Sequence, residues 1–115
     1  MNITITGRHF DVSTVLREHI EREAHKLKRF FDGIVDCHVT MSVEKHRHLA
    51  EVTANLYGHT LRSSHESEDM MVSVDKALEK MERRLKRVHD KLREPHRIKK
   101  EDLLTSRSEE EEDEE

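Results

Sequence analysis

The sequence feature that most constrains the fold is a helix-period stripe of apolar residues in the last third of the chain. Its members recur at alternating four- and three-residue steps: Met70, Val74, Leu78, Met81, Leu85, Val88 and Leu92. This spacing predicts one amphipathic helix over about residues 69–94, with a single continuous apolar face. Such a face must be buried, so the rest of the chain has to provide a matching apolar surface.

The charges of this helix are sorted by side. At about 100° per residue, six cations project on one side of the stripe: Lys76, Lys80, Arg83, Arg84, Arg87 and Lys91. Asp75, Glu79 and Glu82 lean to the other side. A row of cations is typical of a surface that follows phosphates. The alternative is a solvated face rich in i,i+4 ion pairs.

Alternating segments supply the matching surface. Residues 35–43 have apolar side chains at the odd positions, and residues 50–56 have them at the even positions. Both predict strands with one buried and one solvated face. Shorter strands are predicted over residues 2–6 and near residues 60–66. Cys37 falls in the apolar register, so its thiol is expected in the core.

A second amphipathic helix is predicted between the first two strands. Ser13 is a plausible N-cap, and the helix should run to about Phe31. Its buried face comprises Leu16, Ile20, Ala24, Leu27 and Phe31. Three cations lie on the opposite side: Arg22, Lys26 and Arg29. If both helices lie side by side on the sheet, the two cationic rows should lie near each other.

These elements predict an α+β fold of order β-α-β-β-β-α over residues 1–94. Both helices should cover one face of a four-stranded sheet, with the first two strands parallel through a right-handed crossover. Residues 95–115 are expected to form a flexible charged tail. The net charge is −4, and the seven acidic residues at 109–115 contribute −7 of it. Residues 1–108 therefore carry +3.

Several function classes find no support in the sequence. No apolar run is long enough to span a membrane, and the N-terminus lacks a secretory signal pattern. A single cysteine allows no internal disulfide, which fits a reducing cytosol. The chain has only three glycines and no phosphate-binding glycine loop. His38, His46 and His48 cluster without a recognised zinc spacing. No catalytic, cofactor or metal site is predicted, and we do not expect an enzyme.

The prediction that remains is RNA binding through the helix cations. The outward strand positions carry no aromatic residue apart from Tyr57 at one end, so no stacking platform is expected. Recognition should therefore use phosphate contacts and the shape of folded RNA. The predicted RNA-binding residues are Arg22, Lys26, Arg29, Lys76, Lys80, Arg83, Arg84, Arg87 and Lys91.

Three segments carry a resemblance to a known family: TGRHFDVSTVLREHIEREAHKLKRFF, the strand ending in Val43-Glu44-Lys45, and SEDMMVSVDKALEKMERRLKRVHDKL. Over about residues 2–93 the chain resembles the ribosome hibernation promoting factors, including the short form and the ribosome-associated inhibitor. The resemblance implies a fold similar to the double-stranded RNA-binding domain. It also implies ribosomal RNA contacts by Lys26, Lys80, Arg83, Arg87 and Lys91.

The function implied by the resemblance is inhibition of translation under stress or in stationary phase. The factor would bind the small ribosomal subunit in the decoding region and block the messenger and transfer RNA sites. It would be a bacterial cytoplasmic protein, monomeric when free, with no cofactor, membrane or small-molecule partner. Two alternatives stay open: a modulator of transcription of the sigma-54 type and a general binder of structured RNA.

The acidic end of the tail leads to a first prediction. Residues 109–115 contain no cation, so they should mask the helix cations or repel ribosomal RNA. The intact chain should bind ribosomes more weakly than a chain truncated after Glu94. The difference should shrink in salt, which screens exposed charges beyond about 8–10 Å at physiological ionic strength. Affinities measured at low and high salt test this. Weaker binding of the truncated chain at every salt concentration would make the tail a positive determinant.

Overall fold

The computed structural model describes residues 1–93 and confirms the predicted element order. The strands are β1 (Asn2–Arg8), β2 (Ile34–Glu44), β3 (Arg47–Leu56) and β4 (His59–Ser67). The helices are α1 (Thr14–His25), which continues as a 3₁₀ segment (Lys26–Arg29), and α2 (Met70–Arg93). The predicted tail at residues 95–115 lies outside the described residues.

The four strands form one mixed sheet in the order β1-β2-β3-β4. β1 pairs in parallel with β2, as the crossover through α1 predicts, with Ile5 opposite Val39. The pairs β2–β3 and β3–β4 are antiparallel, and Val39 is opposite Val52, which is opposite Ser63. β1 and β4 are therefore the two edge strands of the sheet.

Both helices cover the same face of this sheet. α2 contacts β3 and β4, whereas α1 contacts β1 and α2. The inward side chains of the central strands and the two helix stripes form one apolar cluster that includes Leu16, Ile20, Ala24, Leu27, Cys37, Val39, Met41, Ala50, Val52, Ala54, Leu61, Val74, Met81 and Leu85. The opposite sheet face is polar and has no helix over it within residues 1–93. None of the helices in this part of the chain is long and apolar enough to cross a membrane.

Side chains cap both helices, and the cap predicted at Ser13 is confirmed. The Ser13 hydroxyl accepts a hydrogen bond from the Leu16 amide at 3.1 Å, as an N-cap should. At α2 the Asp69 carboxylate accepts from the Met71 amide at 2.9 Å. Ser67 supports that cap, because its hydroxyl donates to the Asp69 carbonyl oxygen at 2.7 Å.

Two local expectations were wrong. The α-helix α1 ends at His25, six residues before the predicted end, because the chain tightens into the 3₁₀ segment. In β2, Val35 is 41 % exposed although its alternation predicted burial. The β2–β3 register shifts between Ile34 and Asp36. Such a bulge inserts one extra residue, so Ile34 and Cys37 are buried and Val35 is not.

The packing of α2 yields a stability prediction. Leu85 is fully buried in the cluster, so Leu85→Ala should lower the free energy of unfolding by about 2–5 kcal/mol. The neighbouring Lys86 is exposed, and Lys86→Ala should change it by less than about 0.5 kcal/mol. Urea unfolding followed by circular dichroism measures both. Similar effects for the two variants would contradict the orientation of α2.

Candidate nucleic-acid interface

The anionic side of α2 faces α1. The His19 Nε2 atom of α1 lies 2.6 Å from the Asp75 Oδ1 atom of α2. Further along the same seam, burial raises the pKa of the Glu82 carboxyl, and the charges of Glu79 and Glu23 raise it further. Glu82 is thus close enough to Glu23 of α1 for their charges to interact, so it lies at the seam between the two helices. The cations of α2 are consequently on the side away from α1.

Of the predicted α1 row, only Lys26 lies at this seam. Its Nζ atom donates to the Glu23 carboxylate at 2.9 Å, and this hydrogen bond lowers the pKa of Glu23. Arg22 and Arg29 are exposed. The two cationic rows therefore do not meet at the seam between the helices. The helices do lie side by side, but α2 is rotated so that its carboxylates occupy the space between them.

Two of the nine predicted RNA-binding residues are not on the surface. Lys80 is 4 % exposed and Arg84 is 0 % exposed. The Lys80 ammonium donates to the Ser64 carbonyl oxygen on the edge strand β4 at 2.8 Å. Contrary to the prediction, Lys80 and Arg84 are therefore not part of the exposed row of cations on α2.

The burial of these two cations has a steric cause. Ser73 and Ala77 lie beside the predicted stripe, and both are fully buried. Ala77 approaches β4 so closely that the Ser63 hydroxyl donates to its carbonyl oxygen at 2.7 Å. These small side chains thus allow α2 to pack closely against β4. As a result, the buried face of α2 is wider than its stripe of large apolar residues.

The cations that remain accessible form two separate groups. Arg22 and Arg29 belong to the α1 side. On α2, Lys76 and Arg83 are exposed, and Arg87 and Lys91 are half-buried. The Lys76 Nζ atom is 3.9 Å from a Glu79 carboxylate oxygen, an exposed pair of small energetic weight. Lys28 and Lys86 are also exposed. Lys28 lies in the 3₁₀ segment, where the angular spacing of an α-helix does not predict the direction of a side chain.

The structure also describes the two other reactive groups considered from the sequence, the Cys37 thiol and the histidines. Cys37 is buried, and burial together with the Asp36 charge raises its pKa to about 11. Its thiolate, the nucleophilic form, is therefore scarce at neutral pH. Within residues 1–93 no three His, Cys, Asp or Glu side chains are grouped so that they could hold a metal ion. His38 instead hydrogen-bonds the Thr6 hydroxyl at 2.9 Å.

Comparison with known sequences points to one family. The family model described as Sigma 54 modulation protein / S30EA ribosomal protein matches residues 3–93. Ribosome hibernation promoting factors of Salmonella typhimurium and Escherichia coli are each 32 % identical over 93 residues, covering 81 % of this chain and 98 % of theirs. The ribosome hibernation promotion factor of Bacillus subtilis is 34 % identical over 90 residues, covering 76 % of this chain and 48 % of that protein.

Solved structures share the fold. A ribosomal subunit interface protein from Coxiella burnetii superposes with a TM-score of 0.73 at 30 % identity, covering 78 % of this chain and 99 % of that one. The N-terminal domain of Thermus thermophilus Protein Y gives a TM-score of 0.70 at 28 % identity, with coverage of 76 % and 99 %.

The different environments of two lysines one helical turn apart give a test of this interface. Lys80→Ala removes a charged donor from the Ser64 carbonyl and should cost about 1.5–3 kcal/mol of unfolding free energy. Lys76→Ala, at an exposed position, should cost less than about 0.5 kcal/mol. Chemical denaturation of both variants measures the difference. Equal costs would mean that α2 is rotated differently and that Lys80 is solvated after all.

Proposed function

This chain belongs to the Sigma 54 modulation protein / S30EA ribosomal protein family, and we propose on that basis that it is a ribosome hibernation factor. Curated relatives at 32 % identity carry that name. A structural relative at 30 % identity is a ribosomal subunit interface protein. The family match over residues 3–93 is the observation that carries the proposal, because it covers all four strands and both helices.

We further propose that the factor binds the decoding region of the small ribosomal subunit. The accessible cations of the helix layer would contact ribosomal RNA phosphates, with Arg83 and Arg87 at the centre of the α2 group. Folded RNA is recognised largely through its shape and its backbone, and phosphate contacts fix the orientation of a bound protein. The packed sheet behind α2 supports such contacts, because it holds the helix in one position.

In this proposal, translation is inhibited because the protein occupies the decoding region. A domain bound in the decoding region excludes messenger and transfer RNA from the same volume, so no catalytic step is required. The protein acts on ribosomes in the bacterial cytoplasm and uses no cofactor. Lys80 contributes indirectly, because its hydrogen bond to the Ser64 carbonyl oxygen joins α2 to β4; the accessible cations make the contacts.

Two other functions are compatible with a cationic helix layer. One is modulation of transcription, because the family description includes the words Sigma 54 modulation protein. The other is general binding of structured RNA. Cosedimentation with separated ribosomal subunits distinguishes them, since only a hibernation factor should bind the small subunit in preference to an equal mass of unrelated folded RNA.

The α2 cations give the quantitative test. Arg83→Glu with Arg87→Glu should abolish small-subunit binding at moderate salt and leave the circular dichroism spectrum unchanged. For the parental chain, log affinity should fall linearly with log salt concentration, by roughly 0.7–0.9 for each phosphate contact. Replacing both arginines with alanine should reduce that slope by about two, one for each lost contact.

The matched control reverses two exposed cations at the other end of the sheet, Arg8→Glu with Arg47→Glu. It changes net charge by the same amount and should weaken binding far less. Equal weakening by both double variants would show that net charge alone drives binding. Normal binding of the α2 variant would refute the proposed contact surface.

A further inference from the structure

The chain exposes one aromatic ring, at the β3–β4 turn. Of its four aromatic residues, Phe10, Phe30 and Phe31 pack against the core cluster. Tyr57 is 87 % exposed, and no hydrogen bond, ion pair or ring contact involves it within residues 1–93. The ring therefore contributes little to the fold. An aromatic ring held in water by an ordered turn is suited to contacts with a flat partner.

The turn that carries Tyr57 is short and defined. Leu56 is paired with His59, so Tyr57 and Gly58 alone connect the two strands. Gly58 has a φ of +77°, while Tyr57 is not among the residues with positive φ. This sign pattern is that of a type II turn, which favours glycine at the second central position. Apart from the two chain neighbours of Gly58, no heavy atom lies within 4 Å of the position of a Cβ on this glycine, so no other part of the domain packs against the turn there.

The base of the turn is braced by a row of hydrogen bonds across three strands. The Thr60 hydroxyl donates to the Asn55 Oδ1 atom at 3.0 Å. The Asn55 amide in turn donates to the Asp36 carboxylate of β2. These contacts limit the motion of the turn relative to the sheet, which reduces the entropy that a ring would lose when it binds a partner.

The position of the turn favours RNA as the partner. β4 ends at Ser67 and α2 begins at Met70, so α2 runs back along β4 and its last turns lie at the Tyr57 end of the sheet. The half-buried cations of that part of α2 are Arg87 and Lys91. Exposed Arg62, opposite Thr53 in the β3–β4 register, adds a cation on the helix-free face of β4. An exposed aromatic ring at the same end of the domain as helix cations matches the stacking and phosphate contacts made to single-stranded RNA.

We propose that Tyr57 stacks on an unpaired base of ribosomal RNA when the protein is bound to the small subunit. This inference rests on the proposed function and extends it. The helix cations would contact phosphates of folded RNA, while Tyr57 would contact one base at the end of the domain. Stacking is tolerant of base identity because every base has a flat face, so Tyr57 would add affinity and fix position without reading sequence.

Substitution in the full-length chain tests the proposal. Tyr57→Ala should weaken binding to purified small subunits roughly 5- to 150-fold, the range that loss of one stacked base gives. Tyr57→Phe keeps the ring and should bind within about twofold of the parental chain. Val15→Ala is the matched control, because Val15 is 73 % exposed and lies where α1 begins, at the opposite end of the sheet. It should also bind within about twofold, as for other surface substitutions.

Tyrosine fluorescence gives an independent readout. The chain contains one tyrosine and no tryptophan, so its emission reports Tyr57 alone. A short oligoadenylate should quench this emission, and an abasic oligoribonucleotide of the same length should not, although it carries the same phosphates. The comparison separates stacking from electrostatic binding.

The outcomes separate this inference from the function on which it rests. Parental affinity in Tyr57→Ala, equal weakening in Tyr57→Phe and Tyr57→Ala, or equal quenching by the abasic oligomer would each overturn stacking. A parental chain that does not bind ribosomes would refute the proposed function. In that case the two oligonucleotides alone decide whether Tyr57 stacks on bases.

Discussion

The close approach of α2 to β4 determines the surface of this protein. Ser63 and Ala77 meet at the contact, with the serine hydroxyl 2.7 Å from the Ala77 carbonyl oxygen. A larger residue at either position would move the helix away from the sheet, since interiors are packed without room for extra atoms. Because the helix is rigid, this contact and the burial of the apolar stripe together fix its rotation. The rotation then decides which cations face solvent and which side of α2 faces α1.

The same contact gives the charges of α2 three different roles. Lys80 binds a carbonyl oxygen of β4, an edge strand whose exposed backbone would otherwise be available to pair with another chain. Asp75 and Glu82 lie at the seam with α1, where the His19 imidazole and the Lys26 ammonium are their neighbours. Only the outer cations remain for a partner. A helix with segregated charge thus stabilises an edge, joins a second helix and presents a cationic surface.

The sequence predicted the elements well because the relevant signals are local and repeated. A stripe over seven positions defines α2, and alternation over several pairs of residues defines β2 and β3. The errors arose where a single residue departs from the repeat. Val35 is exposed because of a bulge that depends on pairing with β3, and α1 ends early in a 3₁₀ segment. Neither departure changes hydrophobic periodicity enough to be read from one chain.

The candidate site was harder to predict than the fold, for a reason that Arg84 illustrates. A helical projection gives the direction of a side chain but not the width of the buried face. That width depends on the size of the neighbours, and here Ser73 and Ala77 extend it to include Lys80 and Arg84. Small residues on the flank of an apolar stripe are the sequence signal that could have predicted the burial of Lys80 and Arg84. A cation beside such residues is better assigned to packing than to binding.

The polar character of the outward strand positions argues against a broad stacking platform, and the structure agrees that this face is polar. Tyr57 is a separate case, because the alternation predicted it at an outward strand position, whereas β3 ends at Leu56 and Tyr57 is exposed in the turn that follows. Its ring and the last cations of α2 lie at the same end of the domain only because α2 returns antiparallel to β4. That topology places the two kinds of RNA contact on one end, so a partner that binds the α2 cations would also come within reach of the turn. In the proposed complex, a domain of this size would contact folded RNA phosphates along a helix, and a single ring would fix its position on that RNA.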